Sequence, residues 1–286
     1  MHNKTLALLW SLTQIILTAG VILVMKFAFN TGVDPLNFSY QILIVAALIL
    51  FAYGLYKEPK QIFHLPIETI SMVALIGVIG GGLVYALNGL GLKYSSATNF
   101  SFLIQTNVFF TAMLAFFFLK ENLKITKIVL LVMLIAGIYL ITTKGNFIIP
   151  SRGDILLLLG SLAYAIANIM AKVTLRSVPA ITFTAYRILF GGLSLILFLI
   201  LIGRFSVEIN WLWTMGVGVM IAVGTLAIHK VLGYATASYM SMMSTITPVL
   251  TTIAAWTFLG ETMSTTQLIG GGFIILAGIF INQKNI

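Results

Sequence analysis

Cysteine is absent from the 286 residues, which removes disulfides, thiolate metal sites and cysteine nucleophiles from consideration. Charge is nearly as scarce. Asp, Glu, Lys and Arg make up 8% of the chain, and the acids Asp34, Glu58, Glu68, Glu121, Asp154, Glu208 and Glu261 all fall in loops or at the ends of apolar runs. At 60% hydrophobic residues and a mean hydropathy of +1.08, there is too little polar surface to cover a water-soluble globule. The histidines His2, His64 and His229 are too scattered to form the clustered acid–base or metal-binding set that a membrane-embedded enzyme needs. Gly80-Gly81-Gly82, Gly191-Gly192 and Gly270-Gly271-Gly272 have no following Lys-Ser or Lys-Thr of a phosphate loop, so ATP-driven pumping has no motif. The expectation is a protein with no enzymatic activity, no cofactor and no metal.

What the chain does contain is long apolar runs. A helix rises 1.5 Å per residue and crosses a hydrocarbon core of about 30 Å in about 20 residues. Ten windows meet that length: 6–29, 36–56, 70–92, 97–119, 125–143, 155–175, 181–202, 211–232, 236–259 and 265–282. They are continuous, unlike the short alternating segments of a β-barrel, and the first runs too long for a secretory signal. An all-α integral membrane bundle of ten helices follows.

The chain also contains itself twice. Tyr94-Ser95-Ser96-Ala97 corresponds to Tyr234-Ala235-Thr236-Ala237, and Phe118-Leu119-Lys120-Glu121 to Phe258-Leu259-Gly260-Glu261, both 140 residues on. Ala136-Gly137-Ile138 corresponds to Ala277-Gly278-Ile279, and upstream Lys26 pairs with Lys172 and Tyr40 with Tyr186. Residues 1–146 and 147–286 thus read as two five-helix halves. Five being odd, the second half enters the membrane from the opposite side, an inverted-topology repeat around a central cavity.

The sixteen Lys and Arg against seven acids give a formal charge of +9, but these cations sit between apolar runs, where they orient loops and meet anionic headgroups. They form no nucleic-acid footprint. With both termini cytoplasmic, Lys4, Lys57, Lys60, Lys120, Lys124, Lys127, Lys172, Arg176, Lys230 and Lys284 lie inside, against Lys26, Lys93, Lys144, Arg152 and Arg204 outside. The expected location is a cell membrane, spanned many times, and the expected partners are a small-molecule substrate and the bilayer, with the chain acting as a monomer.

Polar residues within apolar helices turn toward the bundle interior or a wet cavity. Thr98, Ser101 and Gln105 share a face of the fourth helix, with Ser238, Ser241 and Thr245 as their copies on the ninth, and Asn99 and Tyr239 adjoin them. Gln14 and Thr18, Tyr85 and Asn88, and Tyr164 and Asn168 stand three or four residues apart on the first, third and sixth helices. From these the candidate substrate-binding set is Gln14, Thr18, Tyr85, Asn88, Asn99, Ser101, Gln105, Tyr164, Asn168, Tyr239, Ser241 and Thr245. Serine and threonine serve equally well as close-packing residues that bond their own backbone, whereas primary amides have more groups to satisfy in lipid. Amides, hydroxyls and tyrosines suit a neutral or zwitterionic cargo. Pro248 is a candidate hinge. His229 is a candidate gate or proton acceptor, with interfacial anchoring as the alternative. Arg187 is expected to bond carbonyls or headgroups. Glu121 and Glu261 are expected to cap the helices that follow them, and Ser264 with Gln267 has capping-box spacing.

The duplicated hydroxyl-rich starts of the fourth and ninth helices, the Leu119-Lys120-Glu121 and Leu259-Gly260-Glu261 ends and the glycine-bearing helices after them resemble the EamA-type halves of the drug/metabolite transporter superfamily. The likeness covers almost the whole chain, with two departures. Family halves usually carry a proline midway along the fourth and ninth helices, and here Pro248 has Val108 as its counterpart; an arginine common early in the second and seventh helices is present as Arg187 but replaced by Gln41. The resemblance implies a ten-helix exporter of small metabolites with helices one, three, four, six, eight and nine around the cavity and five and ten outside. Amino acids are the expected cargo. The alternatives are a lipid or lipid-linked sugar flippase and a proton-coupled exporter of cationic drugs, the last disfavoured because no acid lies within a span.

Overall fold

A computed structural model describes residues 2–60, 62–63, 65–119, 125–144, 150–174, 178–235 and 237–281. All regular elements among them are helical. In chain order these are α1 (His2–Asn30), α2 (Pro35–Lys57), α3 (Ile67–Gly77), which passes through a π-helical stretch (Val78–Leu83) into α4 (Val84–Tyr94), then α5 (Ala97–Leu103), a 3₁₀ turn (Ile104–Thr106), α6 (Asn107–Leu119), α7 (Ile125–Thr143), α8 (Arg152–Thr174), α9 (Ala180–Leu201), α10 (Trp211–Tyr234), α11 (Ala237–Ser244), α12 (Thr247–Leu259) and α13 (Thr265–Ile281). Lys4–Asn30, Pro35–Lys57, Ile67–Tyr94, Arg152–Ala171, Ala180–Leu201 and Trp211–Tyr234 are long and apolar enough to cross a membrane. Shorter apolar helices cover Ile128–Thr143, Thr247–Leu259 and Thr265–Phe280. Only a helix satisfies every backbone group within its own segment, which is why apolar chain in lipid takes this form. Leu48, Phe117, Trp256 and Phe258 stand exposed on the outer surface, as lipid contact requires.

The windows expected at 97–119 and 236–259 are not single helices. The first breaks at Ile104–Thr106 without a proline. There the Leu103 carbonyl accepts from the Thr106 hydroxyl (2.7 Å) and the Ser161 hydroxyl (3.0 Å), and the Ile104 carbonyl accepts from the Asn107 amide (2.7 Å). Side chains thus reinforce the i→i+3 backbone bonds of the turn, such as that from the Asn107 N–H to the Ile104 carbonyl. The second breaks in a turn at Thr245 and Ile246, and Pro248 lies in the first turn of α12, where a missing N–H costs nothing.

Helix α1 packs on α10 and α12, α2 on α9 and α10, α8 on α4 and α6, and α7 pairs with α13. Lipid offers no hydrophobic reward for helix association, so close backbone approach through small residues carries it. A Cβ added to Gly81 would stand 2.9 Å from the Gly191 Cα, and one added to Gly137 would stand 2.7 Å from the Gly270 carbonyl oxygen. At both crossings backbone lies on backbone.

One end of the bundle, where α1 and α4 finish and α5, α8 and α13 begin, is tied by polar contacts. Lys26 donates to the carbonyls of Leu92 (3.0 Å) and Ser95 (2.5 Å). Ser95 and Asn99 both donate to Asp154 Oδ1, and Gln267 donates to Asn99 Oδ1 (3.0 Å). Ser264 and Gln267 form the capping box that their spacing suggests (Gln267 N to Ser264 Oγ 3.2 Å; Ser264 N to Gln267 Oε1 3.0 Å). Glu261 departs from expectation: its carboxylate accepts from the backbone N–H groups of Ala97 (2.7 Å) and Thr98 (3.0 Å), capping α5 rather than the helix that follows it in sequence. Glu121 lies outside the described residues.

Candidate functional site

A cavity of about 750 Å³ occupies the middle of the bundle and extends toward the opposite end, where α8 and α10 finish and α9 begins. Its walls come from α1, the π-helical stretch and α4, α5 with the 3₁₀ turn and α6, α8, α9, α10, α11 and the start of α12. Among the described residues, α2, α7 and α13 contribute nothing to it, and α9, which the family resemblance leaves off the wall, contributes Ala180, Phe183, Thr184, Arg187 and Ile188.

Eight of the candidate residues line this space: Gln14, Thr18, Tyr85, Asn88, Gln105, Tyr164, Asn168 and His229. Their positions follow from local structure. Gln14 and Thr18 sit one turn apart on α1, and the Gln14 amide donates to the Thr18 hydroxyl (2.9 Å) while its Oε1 is buried with no partner. Asn88 has its Oδ1 equally unpartnered, and it fits because residue 160 is glycine: a Cβ there would stand only 2.4 Å from that oxygen. Gln105 lies in the 3₁₀ turn and donates to the Ser244 carbonyl (3.0 Å), joining one broken helix to the other. The His229 Nε2 lies 3.2 Å from the Thr184 hydroxyl oxygen. Since that hydroxyl gives its proton to the Ala180 carbonyl (2.7 Å), the imidazole is the donor.

The remaining candidates lie elsewhere. Asn99 belongs to the polar cluster with Asp154 and Gln267, and Ser101 is buried and bonds back to the Thr98 carbonyl (2.8 Å). Thr245 is buried against Gly278 of α13, and Tyr239 and Pro248 also stand off the cavity wall. The side chain of Ser241 lies outside the described residues.

Sequence reasoning underrated Arg187. Instead of bonding a carbonyl, its guanidinium faces the cavity with Cζ 5.8 Å from the centre of the Tyr164 ring and its Nε buried and unpartnered. Tyr85 stands within electrostatic reach of both. Asn107, Ser161, Thr225 and Ser244 were also missed, although as polar residues inside apolar windows they carried the same signal as those chosen. The apolar wall includes Ile22, Met25, Phe100, Met220 and Ile221. A space of this size and mixture suits a small molecule with a polar head and an apolar body.

Comparison with known proteins agrees on one family. The profile of the EamA-like transporter family matches residues 5–143 and again residues 151–283. An Archaeoglobus fulgidus protein named as an uncharacterized transporter is 30% identical over 71% of this chain and 69% of its own length. The uncharacterized transporter YyaM of Bacillus subtilis is 26% identical over 81% of this chain and 79% of its own. A crystal structure superposes with a TM-score of 0.65 at 16% identity, covering 95% of this chain and 94% of that one, a likeness that shows the fold alone.

Proposed function

The chain belongs to the EamA-like transporter family, and from that premise we propose that it is a secondary carrier that exports small metabolites, chiefly amino acids, by alternating access. The coarser statement, a multi-pass membrane transporter, rests on the family match and on the long apolar helices. The finer one is carried by a single observation: the 750 Å³ cavity lies at the level of three irregular helix segments, the π-helical stretch and the two breaks. Discontinuous helices at mid-membrane are where carriers bind cargo, because freed backbone groups and small side chains there both contact the ligand and permit movement.

The same reading takes residues 1–146 and 147–286 as inverted halves. Two family matches of similar length support it, as does reciprocal packing in which α1 lies on α10 and α12 while α8 lies on α4 and α6. With both termini in the cytoplasm of a cell-membrane protein, the tied end faces out and the cavity opens inward, the state that accepts cargo for export.

Counterflow in proteoliposomes tests this, using neutral, aromatic, acidic and basic amino acids beside nucleosides, sugars and a cationic dye. The expected result is saturable amino-acid exchange that Gln105→Ala reduces about fivefold, the cost of one neutral hydrogen bond of about 1 kcal/mol. Exchange with no soluble compound by a folded protein would shift the reading to lipid flipping.

A further inference from the structure

Among the described residues, the cavity wall carries a cation and no acid. Arg187 lies seven residues into α9, about 10 Å along the helix axis, and its guanidinium contributes to the cavity wall. A cation at that depth is costly unless something compensates it. Among the described residues four acids are occupied elsewhere: Glu58 accepts from Thr182 (2.6 Å), Asp154 from Ser95 and Asn99, Glu261 from the start of α5, and Asp34 from the start of α2 and from Arg204 (3.3 Å); the other two, Glu68 and Glu208, stand off the cavity wall. None lines the cavity. The Tyr164 ring partly compensates the guanidinium and holds it in place, but a ring face leaves the fork of N–H donors unused.

Two acceptors complete the picture. Gln14 Oε1 and Asn88 Oδ1 are buried on the same cavity without hydrogen-bond partners. Gln14 is 6% exposed and its amide nitrogen is already given to Thr18, which orients the oxygen as the free group. The cavity wall thus carries one cationic donor and two neutral acceptors without protein partners. Buried polar groups are otherwise almost always satisfied.

We propose that Arg187 is the anion subsite of the cavity, binding the carboxylate of the cargo, while the apolar wall takes the rest. The inference rests on the carrier reading of this cavity and narrows its cargo to small carboxylates with an apolar body. No acid on the described wall requires an ammonium over a hydroxyl in the cargo. An amine without a carboxylate meets the uncompensated guanidinium and is repelled.

The test compares four probes of one shape on the purified protein: phenylalanine, 3-phenyllactate, phenylalaninamide and 2-phenylethylamine. Direct binding titration is expected to give both acids similar Kd values, with the two carboxyl-free compounds weaker on the order of tenfold or more. Arg187→Gln should erase that difference and Arg187→Lys, which keeps the charge without the fork, should restore part of it. Failure of both acids to bind, equal binding of the amide or amine, or an undiminished acid preference in Arg187→Gln overturns the proposal. Should that variant not fold, the four probes on the unaltered protein still decide. Exchange of the same acids in proteoliposomes separates the two ideas: acid-selective binding without exchange defeats the carrier and leaves the subsite, whereas exchange indifferent to the carboxylate does the reverse.

Discussion

The two interrupted helices reach similar shapes by different chemistry. Between α11 and α12 the local sequence does the work: Pro248 cannot donate and its ring crowds the preceding turn, so a break just before it is dictated by the residue itself. Between α5 and α6 no residue forbids a helix. The turn at Ile104–Thr106 is held by Thr106, by Asn107 and by Ser161 from another helix, which together take the carbonyls of Leu103 and Ile104. Gln105 then reaches across to the Ser244 carbonyl and couples the two breaks. A discontinuity that depends on tertiary partners should be adjustable by them, and one that depends on proline should not.

The largest test of this contrast concerns the start of α5, where Glu261 satisfies two backbone N–H groups with a charged acceptor. Glu261→Ala should lower the stability of the purified protein by about 3 kcal/mol, since hydrogen bonds to charged groups are worth about 1.5–3 kcal/mol each. The thermal unfolding midpoint reads this directly; an unchanged midpoint would mean that α5 is held by Ser96, whose hydroxyl accepts from the Asn99 N–H (2.9 Å) as its N-cap. Next in size is the pair Ser161→Ala with Thr106→Val, which strips both side-chain donors from the Leu103 carbonyl. A loss of about 2 kcal/mol is expected, about 1 kcal/mol for each side-chain hydrogen bond removed, while the turn's own i→i+3 bond keeps the carbonyl paired. An unchanged unfolding midpoint would show that the backbone turn holds itself without them. Smallest is Pro248→Ala, which permits α11 and α12 to join. Turnover in exchange should fall a few-fold, about 1 kcal/mol in barrier, with KM little changed; unaltered turnover would show that the second break needs no proline either.

The same contrast explains what could be read from the residues alone. Apolar runs announce spans because lipid demands them, and Pro248 announces a break because its chemistry is local. The 3₁₀ turn has no such mark: Ile104, Gln105 and Thr106 are ordinary helix residues until Ser161, more than fifty positions away, arrives beside them. Glu261 was legible as a cap but not as the cap of a helix more than 160 residues earlier. Amide-bearing spans pointed to the cavity because an amide is hard to hide in lipid, and Gln14, Asn88, Gln105 and Asn168 all line it. Arg187 was assigned to the interface since its distance from the helix start is visible in sequence and the direction of its side chain is not. Asn99 met the same limit: it lies one residue off the cavity-facing stripe and serves the polar cluster.

The crossing of Gly81 with Gly191 has one more consequence. No side chain separates the two backbones, and the Arg187 carbonyl lies beside the same contact, 2.7 Å from where a Cβ on Gly77 would be and 3.1 Å from one on Gly81. A contact with nothing compressible in it acts as a fulcrum. Were the walls to swing about that point, the distant ends of the helices would travel furthest and the guanidinium least, so a molecule gripped there would stay nearly still while its exits trade places.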